Sequence, residues 1–568
     1  MAKRIKFEIK DKDGVARIAK LKIGSKRLET PYFFPVINPY DEILPFDEIK
    51  KHFSFPAIIT NAYILMRKGE PIDDIHKFLK YDGIVMTDSG AFQWMKYGKI
   101  EIEQEEIIKF EEKIKSDIKI PLDKPVLSED YEEAKKSVEI TLKNMEEFLK
   151  IKNSDGWIFP IQGSYYKDLI KKCIDFLMKH DDEFDGYAVG SLVSSLEKYE
   201  YNKLIRQFLA VKLLLPLGKF IHGFGAGLPI TIPILVFLGI DTFDSSSYIL
   251  YAKDLRYMTE RGVKRLKDLH YLPCNCPICS KYDIEDLKEL EKVDKKELIK
   301  FLAIHNLYVI NKTINEVKQA IKEGRLYDLV YQIARSHPKV FFAFLDLIKK
   351  KEFAELYKKL DPIRKRKGLF YYGEKRPELE RAFERLKKRV GKLRSSMKLI
   401  YPFGQLVGLE LKYKEVKDEL EILKDLMNYQ FGRNVGTKFV KKYKNRIKIK
   451  RSRTGRLKDI FVDENLFGHI RARDGFISLT LYGAKLIEDI MPNIYKVIIY
   501  NKYKEMIKSS ILPKHIKKFD ERLLANEEVI IYDENGNIFA VGVAKVSGIE
   551  IKDLKSGEVI RIKKRIIT

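Results

Sequence analysis

Cysteine is scarce in this 568-residue chain: there are four. So few cannot staple a disulfide framework, and three stand together at Cys274, Cys276 and Cys279, a clustering that suits a metal in a reducing compartment. Long hydrophobic runs are missing too. The longest, residues 228–240, is interrupted by Pro229 and Pro233 and is too short to cross a bilayer, so no membrane association is expected. The opening stretch MAKRIKFEIKDKDG has no apolar centre of the kind a signal peptide carries, and a soluble cytoplasmic protein is the expectation. Acidic side chains are in deficit: 82 Asp and Glu face 108 Lys and Arg, a formal net charge of +26. That excess fits a protein that meets a polyanion, nucleic acid first of all. General lysine enrichment in a heat-adapted proteome would raise the charge as well.

What is present is the material of sizeable cores beneath a charged surface, with 45% hydrophobic and 33% charged residues. The length exceeds a single core and predicts one large domain with several small ones. Up to about residue 270, short apolar runs alternate with helix-period stretches. The runs are PAIIT (56–60), GIVMT (83–87), GWIFP (156–160), GYAVG (186–190), KFIHG (219–223) and GIDTF (239–243), and small or polar residues follow each at once. Polar groups gathered after successive strands are what a parallel barrel needs, so the pattern predicts an α/β fold, a TIM-like (β/α)8 barrel. An open doubly wound sheet would alternate in a similar way. Stretches 101–116 and 132–152 read as covering helices, and residues 281–357 as helices without strand rhythm. The expected division is a catalytic barrel with a zinc-binding insertion over 1–357, a small α/β linker domain over 358–425, a small basic RNA-binding domain over 426–492, and a last domain over 493–568.

Two constellations carry chemistry. The first is Cys274-x-Cys276-x2-Cys279, followed after a helix-length gap by His305 in AIHNLY. Three thiolates and an imidazole make the closed tetrahedral set preferred by one structural Zn2+, with no position left for a catalytic water. Buried thiols beside a core histidine are the plainer alternative. The second is a pair of carboxylates, Asp88 in TDSGAFQ and Asp244 in DTFDSSSY, each just past an apolar strand. Facing each other across a pocket, one could serve as nucleophile and the other as acid and then base, as sugar chemistry through an oxocarbenium-like state requires. Each aspartate could equally cap the turn that follows it.

TDSGAFQ, PIQGS, YAVG, FGAG, GIDTFDSSSYILYA and CNCPICS with a downstream His-Asn stand in one order over most of residues 1–310. In order and spacing the chain resembles the tRNA-guanine transglycosylases, and FDSSSYILYAKDLRY resembles their archaeal branch. The resemblance implies that Asp244 attacks the ribose anomeric carbon and expels guanine, leaving a covalent RNA–enzyme intermediate. Asp88 would handle the proton as guanine departs and 7-cyano-7-deazaguanine enters, at position 15 of the tRNA D-arm in archaeosine synthesis. By the same resemblance Asp123 accepts hydrogen bonds from the guanidine-like edge of the base, Ser89, Gln162, Gly190 and Ser191 meet its other edges, and Phe92 and Phe224 sandwich the ring. Taken singly, the phenylalanines would pass for core, Gln162 for a loop-stabilising amide and Asp123 for a turn residue. The chain departs from the family pattern at Gly223, where a larger apolar residue is common, at Ser191, where a second glycine is usual, and at Leu228, where histidine is usual. The family implies a homodimer. A paralogue that binds tRNA without base exchange would keep many of the same motifs.

Between Lys441 and Lys458 there are ten basic residues and no acidic one. Lys448, Lys450, Arg451, Arg453 and Arg456 are the expected contacts to RNA phosphates, against the alternative of a merely solvated face. The segment 493–568 reads as a helix and then strands, with two apolar runs flanking ENGN as a hairpin. It resembles a PUA domain, a small RNA-binding β-barrel.

Overall fold

The computed structural model describes residues 4–91, 103–126, 128–365, 376–391, 418–492 and 496–566. The chain divides into two compact units, one of Met1–Phe7, Ala16–Ala320 and Leu329–Leu347, the other of Glu8–Val15, Ile321–Asp328 and Ile348–Thr568.

The first unit is built on eight parallel strands: β1 (Tyr32–Pro35), β2 (Ala57–Asn61), β3 (Ile84–Asp88), β4 (Ile118–Lys119), β5 (Ile158–Ile161), β6 (Gly186–Val189), β7 (Phe220–Gly223) and β8 (Thr242–Ser245). Hydrogen bonds order them as β1-β8-β7-β6-β5 and β2-β3-β4. Parallel bridges Val36 to Ile59 and Lys119 to Trp157 close the two sheets into the predicted barrel. Its strands are covered on both faces, which is why β2 and β3 are apolar and buried up to their last residues. Thr60 and Thr87 are the only polar residues before the strand ends and are buried, and the half-buried side chains at the rim are Asn61 and Asp88.

The covering helices follow from their stripes. Tyr131–Ile151 buries Ala134, Val138, Thr141, Met145 and Phe148 at alternating spacings of three and four, and the Asp130 side chain caps it by accepting from the Glu133 amide. Lys167–Lys179 does the same with Leu169, Ile170, Cys173, Ile174 and Leu177, which makes Cys173 a core residue. At the start of β8, the buried Arg17 guanidinium grips Asp241 in a two-pronged pair with both N–O distances at 2.8 Å. Asp241 also accepts from the Ile221 amide, so β7 and β8 are pinned together three residues before Asp244. Beyond the barrel come the expected helices, Ile284–Val293, Lys295–Glu323, Leu326–Ala334, Pro338–Lys349 and Lys351–Leu360. Among the described residues no helix is long and apolar enough to cross a membrane.

The second unit contains an antiparallel sheet of Ile447–Arg451, Leu457–Val462, Asn465–Ile470 and Ile477–Leu479. Its core is shared with helices Glu419–Phe431 and Val435–Tyr443. A six-stranded sheet follows over residues 496–565. The hairpin predicted at ENGN is there: Glu528–Tyr532 pairs antiparallel with Ile538–Ala544, and Gly536 takes the left-handed conformation the turn needs, φ 84°. The helix expected at the head of this segment is instead strand Lys496–Ile499, whose burial alternates with period two.

Candidate active site and metal centre

Asp88 ends β3 in register with Asn61 on β2, and the Asn61 amide donates to its carboxylate at 3.3 Å. Burial lifts the Asp88 pKa to about 7, helped by the negative charges of Asp123 and Asp244, while the Gly90 amide and Asn61 hold it down. The charges of Asp123, in the loop after β4, and of Asp244, on β8, therefore both reach Asp88. The two sequence-predicted catalytic aspartates share one electrostatic environment.

Asp244 sits on β8, 13% exposed at its side chain. Its Oδ1 accepts from the Gly225 amide at 3.0 Å and lies 3.0 Å from His222 Nε2. His222, on β7 and paired in register with Thr242, is fully buried, and its Nδ1 lies 3.0 Å from Thr242 Oγ1. Sequence reasoning missed His222. The only signal was a lone histidine inside the apolar run KFIHG, which reads as core until the register across to β8 is known.

Asp123, in the loop after β4, is buried with its pKa pushed up to about 6 by desolvation, against the opposing hydrogen bond from the Gln162 amide. The Gln162 carbonyl accepts from Ser191 Oγ at 2.6 Å, and the same Oγ accepts from the Val126 amide at 2.9 Å. The β6 rim is shaped by close approach: a Cβ on Gly190 would stand 2.2 Å from Gln162 Nε2, so any side chain there would displace the Gln162 amide. Ser191 has φ 58°, a backbone that suits the glycine usual at this place. Ser89 is fully buried and its Oγ has no hydrogen-bond partner among the described residues. Phe224 is half-buried, its amide bonded to the Val189 carbonyl at the end of β6. Phe92 lies outside the described residues. A Cβ on Gly223 would touch the Phe208 ring at 3.1 Å, so Phe208 takes the room a larger residue would need. The Leu228 carbonyl accepts from the Thr231 and Ile232 amides, 2.9 and 3.1 Å away.

Cys274, Cys276, Cys279 and His305 come together, with their ligand atoms all within 4.8 Å of one another. His305 Nδ1 stands 3.5 Å from the sulfurs of both Cys276 and Cys279. A tetrahedral ion with metal–sulfur bonds of about 2.3 Å and a metal–nitrogen bond of about 2.0 Å would separate sulfur from nitrogen by about 3.5 Å. The opposite ring nitrogen, Nε2, lies 2.9 Å from the Met258 carbonyl, which fixes the tautomer and turns Nδ1 toward the thiols. The cluster can hold a metal ion.

The family model described as Queuine tRNA-ribosyltransferase matches residues 11–339. The chain belongs to the tRNA-guanine transglycosylase family. The family's patch-forming domain C2 matches residues 421–493, and the PUA domain model matches 498–566. A tRNA-guanine(15) transglycosylase from Pyrococcus furiosus is 35% identical over 99% of this chain and 98% of its own length. One from Methanocaldococcus jannaschii is 32% identical over 98% and 99%, and one from Saccharolobus solfataricus is 46% identical over 68% and 78%. Members of the family are tRNA ribosyltransferases, in the glycosyltransferase class. The resemblances to the archaeal branch and to a PUA domain are both borne out.

Within the stretch matched as the transglycosylase C2 domain, strand Ile447–Arg451 turns Lys448 and Lys450 to solvent, while Ile447 and Ile449 are less exposed. Arg453 is exposed at the hairpin that follows. Arg451 is exposed but paired with Glu419, its Nη2 2.6 Å away. Arg456 is half-buried and donates to the carbonyls of Leu457 and Ile470 at 3.3 and 3.0 Å.

Proposed function

We propose that this transglycosylase exchanges guanine at position 15 of the tRNA D-arm for 7-cyano-7-deazaguanine, in archaeosine synthesis, through an aspartyl-ribose intermediate. The observation that carries the reading is the burial of Asp88 beside the negative charges of Asp123 and Asp244, which lifts its pKa to about 7. A carboxyl so poised gives and takes a proton with nearly equal ease at neutral pH. The ionised Asp244 attacks the ribose anomeric carbon. The glycosidic bond breaks, its electron pair leaves with guanine, and Asp88 protonates the departing base. Asp88, now ionised, then takes the ring proton of 7-cyano-7-deazaguanine, whose nitrogen displaces Asp244 and restores a glycosidic bond. Energy stored in the first bond passes through the ester to the second.

Base recognition falls to the remaining rim. Asp123 accepts from the ring N–H and exocyclic amine, Ser89, whose Oγ has no partner among the described residues, Gln162, Gly190 and Ser191 meet the other edges, and Phe92 and Phe224 stack on the ring for roughly 1 to 3 kcal/mol. The target base must leave its stack to enter. Cys274, Cys276, Cys279 and His305 hold one Zn2+, which braces the fold. Lys448, Lys450, Arg451, Arg453 and Arg456 meet tRNA phosphates, and the enzyme works as a homodimer in the cytoplasm. The division into 1–357, 358–425, 426–492 and 493–568 belongs to the same proposal. The test is to incubate the protein with radiolabelled guanine and tRNA transcripts. Label should enter tRNA with the native enzyme and not with Asp244→Ala. Exchange persisting in the variant refutes the nucleophile, and tRNA binding without exchange by the native protein identifies a binding paralogue.

A further inference from the structure

We propose that His222 is a positioning residue that reserves one oxygen of Asp244 for attack on the ribose, a role resting on Asp244 as the nucleophile. Among the described residues both donors to this carboxylate converge on Oδ1, the Gly225 amide and His222 Nε2, each at 3.0 Å, and none reaches Oδ2. An ionised carboxylate only accepts, so Nε2 carries the proton. The other ring nitrogen lies 3.0 Å from Thr242 Oγ1, a hydroxyl able to donate to it when Nε2 carries the proton. The ring cannot swing away. It is fully buried and edge-packed by Phe34 and Phe224, with centroids 5.9 and 5.1 Å away at interplanar angles of 75° and 76°.

Oδ2 therefore forms the bond to the anomeric carbon, and Oδ1 becomes the ester carbonyl. The two donors bind the carboxylate more strongly than the uncharged ester, because hydrogen bonds to a charged acceptor are the stronger ones. In the second half of the reaction the C–O bond breaks, its electron pair returns to Oδ2, and the donors on Oδ1 stabilise the carboxylate that leaves. Losing them tilts the balance toward the ester. This signature is opposite to that of a damaged fold, which would lower the ester and turnover together.

The experiment compares the full-length native enzyme with His222→Leu, His222→Gln, Thr242→Val and Asp244→Asn, using guanine exchange into tRNA and the fraction of RNA trapped on protein under denaturing conditions. His222→Leu should lower kcat about 10- to 100-fold, lower KM for tRNA in step so that kcat/KM for tRNA stays within about two-fold of native, and raise the trapped fraction. His222→Gln, which keeps an N–H near the place of Nε2, should recover most of the rate. Thr242→Val should shift both readouts in the same direction by less, and it carries the test if His222→Leu does not fold. A kcat within about two-fold of native in His222→Leu, or a trapped fraction that falls with kcat, overturns the proposal. Exchange by Asp244→Asn is a separate result: it removes the nucleophile assignment itself.

Discussion

Asn61 and Asp88 face each other in register on adjacent barrel strands, and the amide of one lies 3.3 Å from the carboxylate of the other. Asn61 thus opposes the burial and the neighbouring charges that lift Asp88 to about 7. Asn61→Leu removes that donor, so the Asp88 pKa rises further. The kcat/KM for tRNA depends on protonated Asp88 in the free enzyme, and its alkaline limb should move to higher pH, as a pH–rate profile will show.

The same residue opposes stability with charge and function. Its folded pKa lies above the unfolded value of 3.8, so its contribution is full below pH 4 and is lost as pH climbs through 7. A neutral amide escapes that loss. Asp88→Asn should abolish exchange yet gain on the order of 1 to 2 kcal/mol over native at pH 8, with little gain at pH 4, measured by paired melts at the two pH values.

Asp123 and Gln162, which the proposal assigns to base recognition, are hydrogen-bonded to each other, and Ser191 Oγ donates to the Gln162 carbonyl at 2.6 Å. Asp123→Asn should raise KM for guanine about 100-fold or more while tRNA affinity stays near native, because a ring N–H then meets an amide that cannot accept everywhere the carboxylate did. Ser191→Gly relaxes the φ of 58° but frees the Gln162 amide. Its stability should stay within about 1 kcal/mol of native while KM for guanine rises, separable by melting and kinetics.

Metal analysis should find one zinc per chain. Stripping it with a strong chelator should lower the melting temperature, and Cys276→Ser should do the same without added chelator, because four protein ligands leave the ion a bracing role. A metal-free protein with an unchanged melt would contradict the assignment.

On the C2 stretch, Lys448→Glu with Lys450→Glu should weaken tRNA binding and flatten the dependence of log K on log salt by about 1.4 to 1.8, since both side chains are exposed. Arg456→Ala should act mainly on the fold, as its guanidinium is engaged by the Leu457 and Ile470 carbonyls. Salt titrations and melts distinguish the two effects.

Much of the barrel was legible because six of its strands are apolar runs ended by polar residues, and the two aspartates lie at such ends. β1 and β4 escaped for physical reasons. β1, Tyr32–Pro35, is only four residues long and follows Pro31. β4 is two residues, one of them Lys119, a charge that breaks the apolar signal; it is buried because its ammonium donates to the Asp155 carbonyl at 2.6 Å and lies over the Trp157 ring. The Cys3His set needed no tertiary knowledge, since ligand type and spacing already define it. His222 was hidden for the opposite reason. Its meaning lies in a pairing with Thr242 and Asp244 across two strands, and no local pattern encodes which strands become neighbours.

The most direct test is to quench the enzyme with tRNA under denaturing conditions, digest the trapped RNA–protein adduct and sequence the modified peptide by mass spectrometry. The account predicts a ribose ester on Asp244, in the peptide that contains Thr242 and Ser245. An adduct on Asp88, or active exchange with no adduct at Asp244, contradicts it.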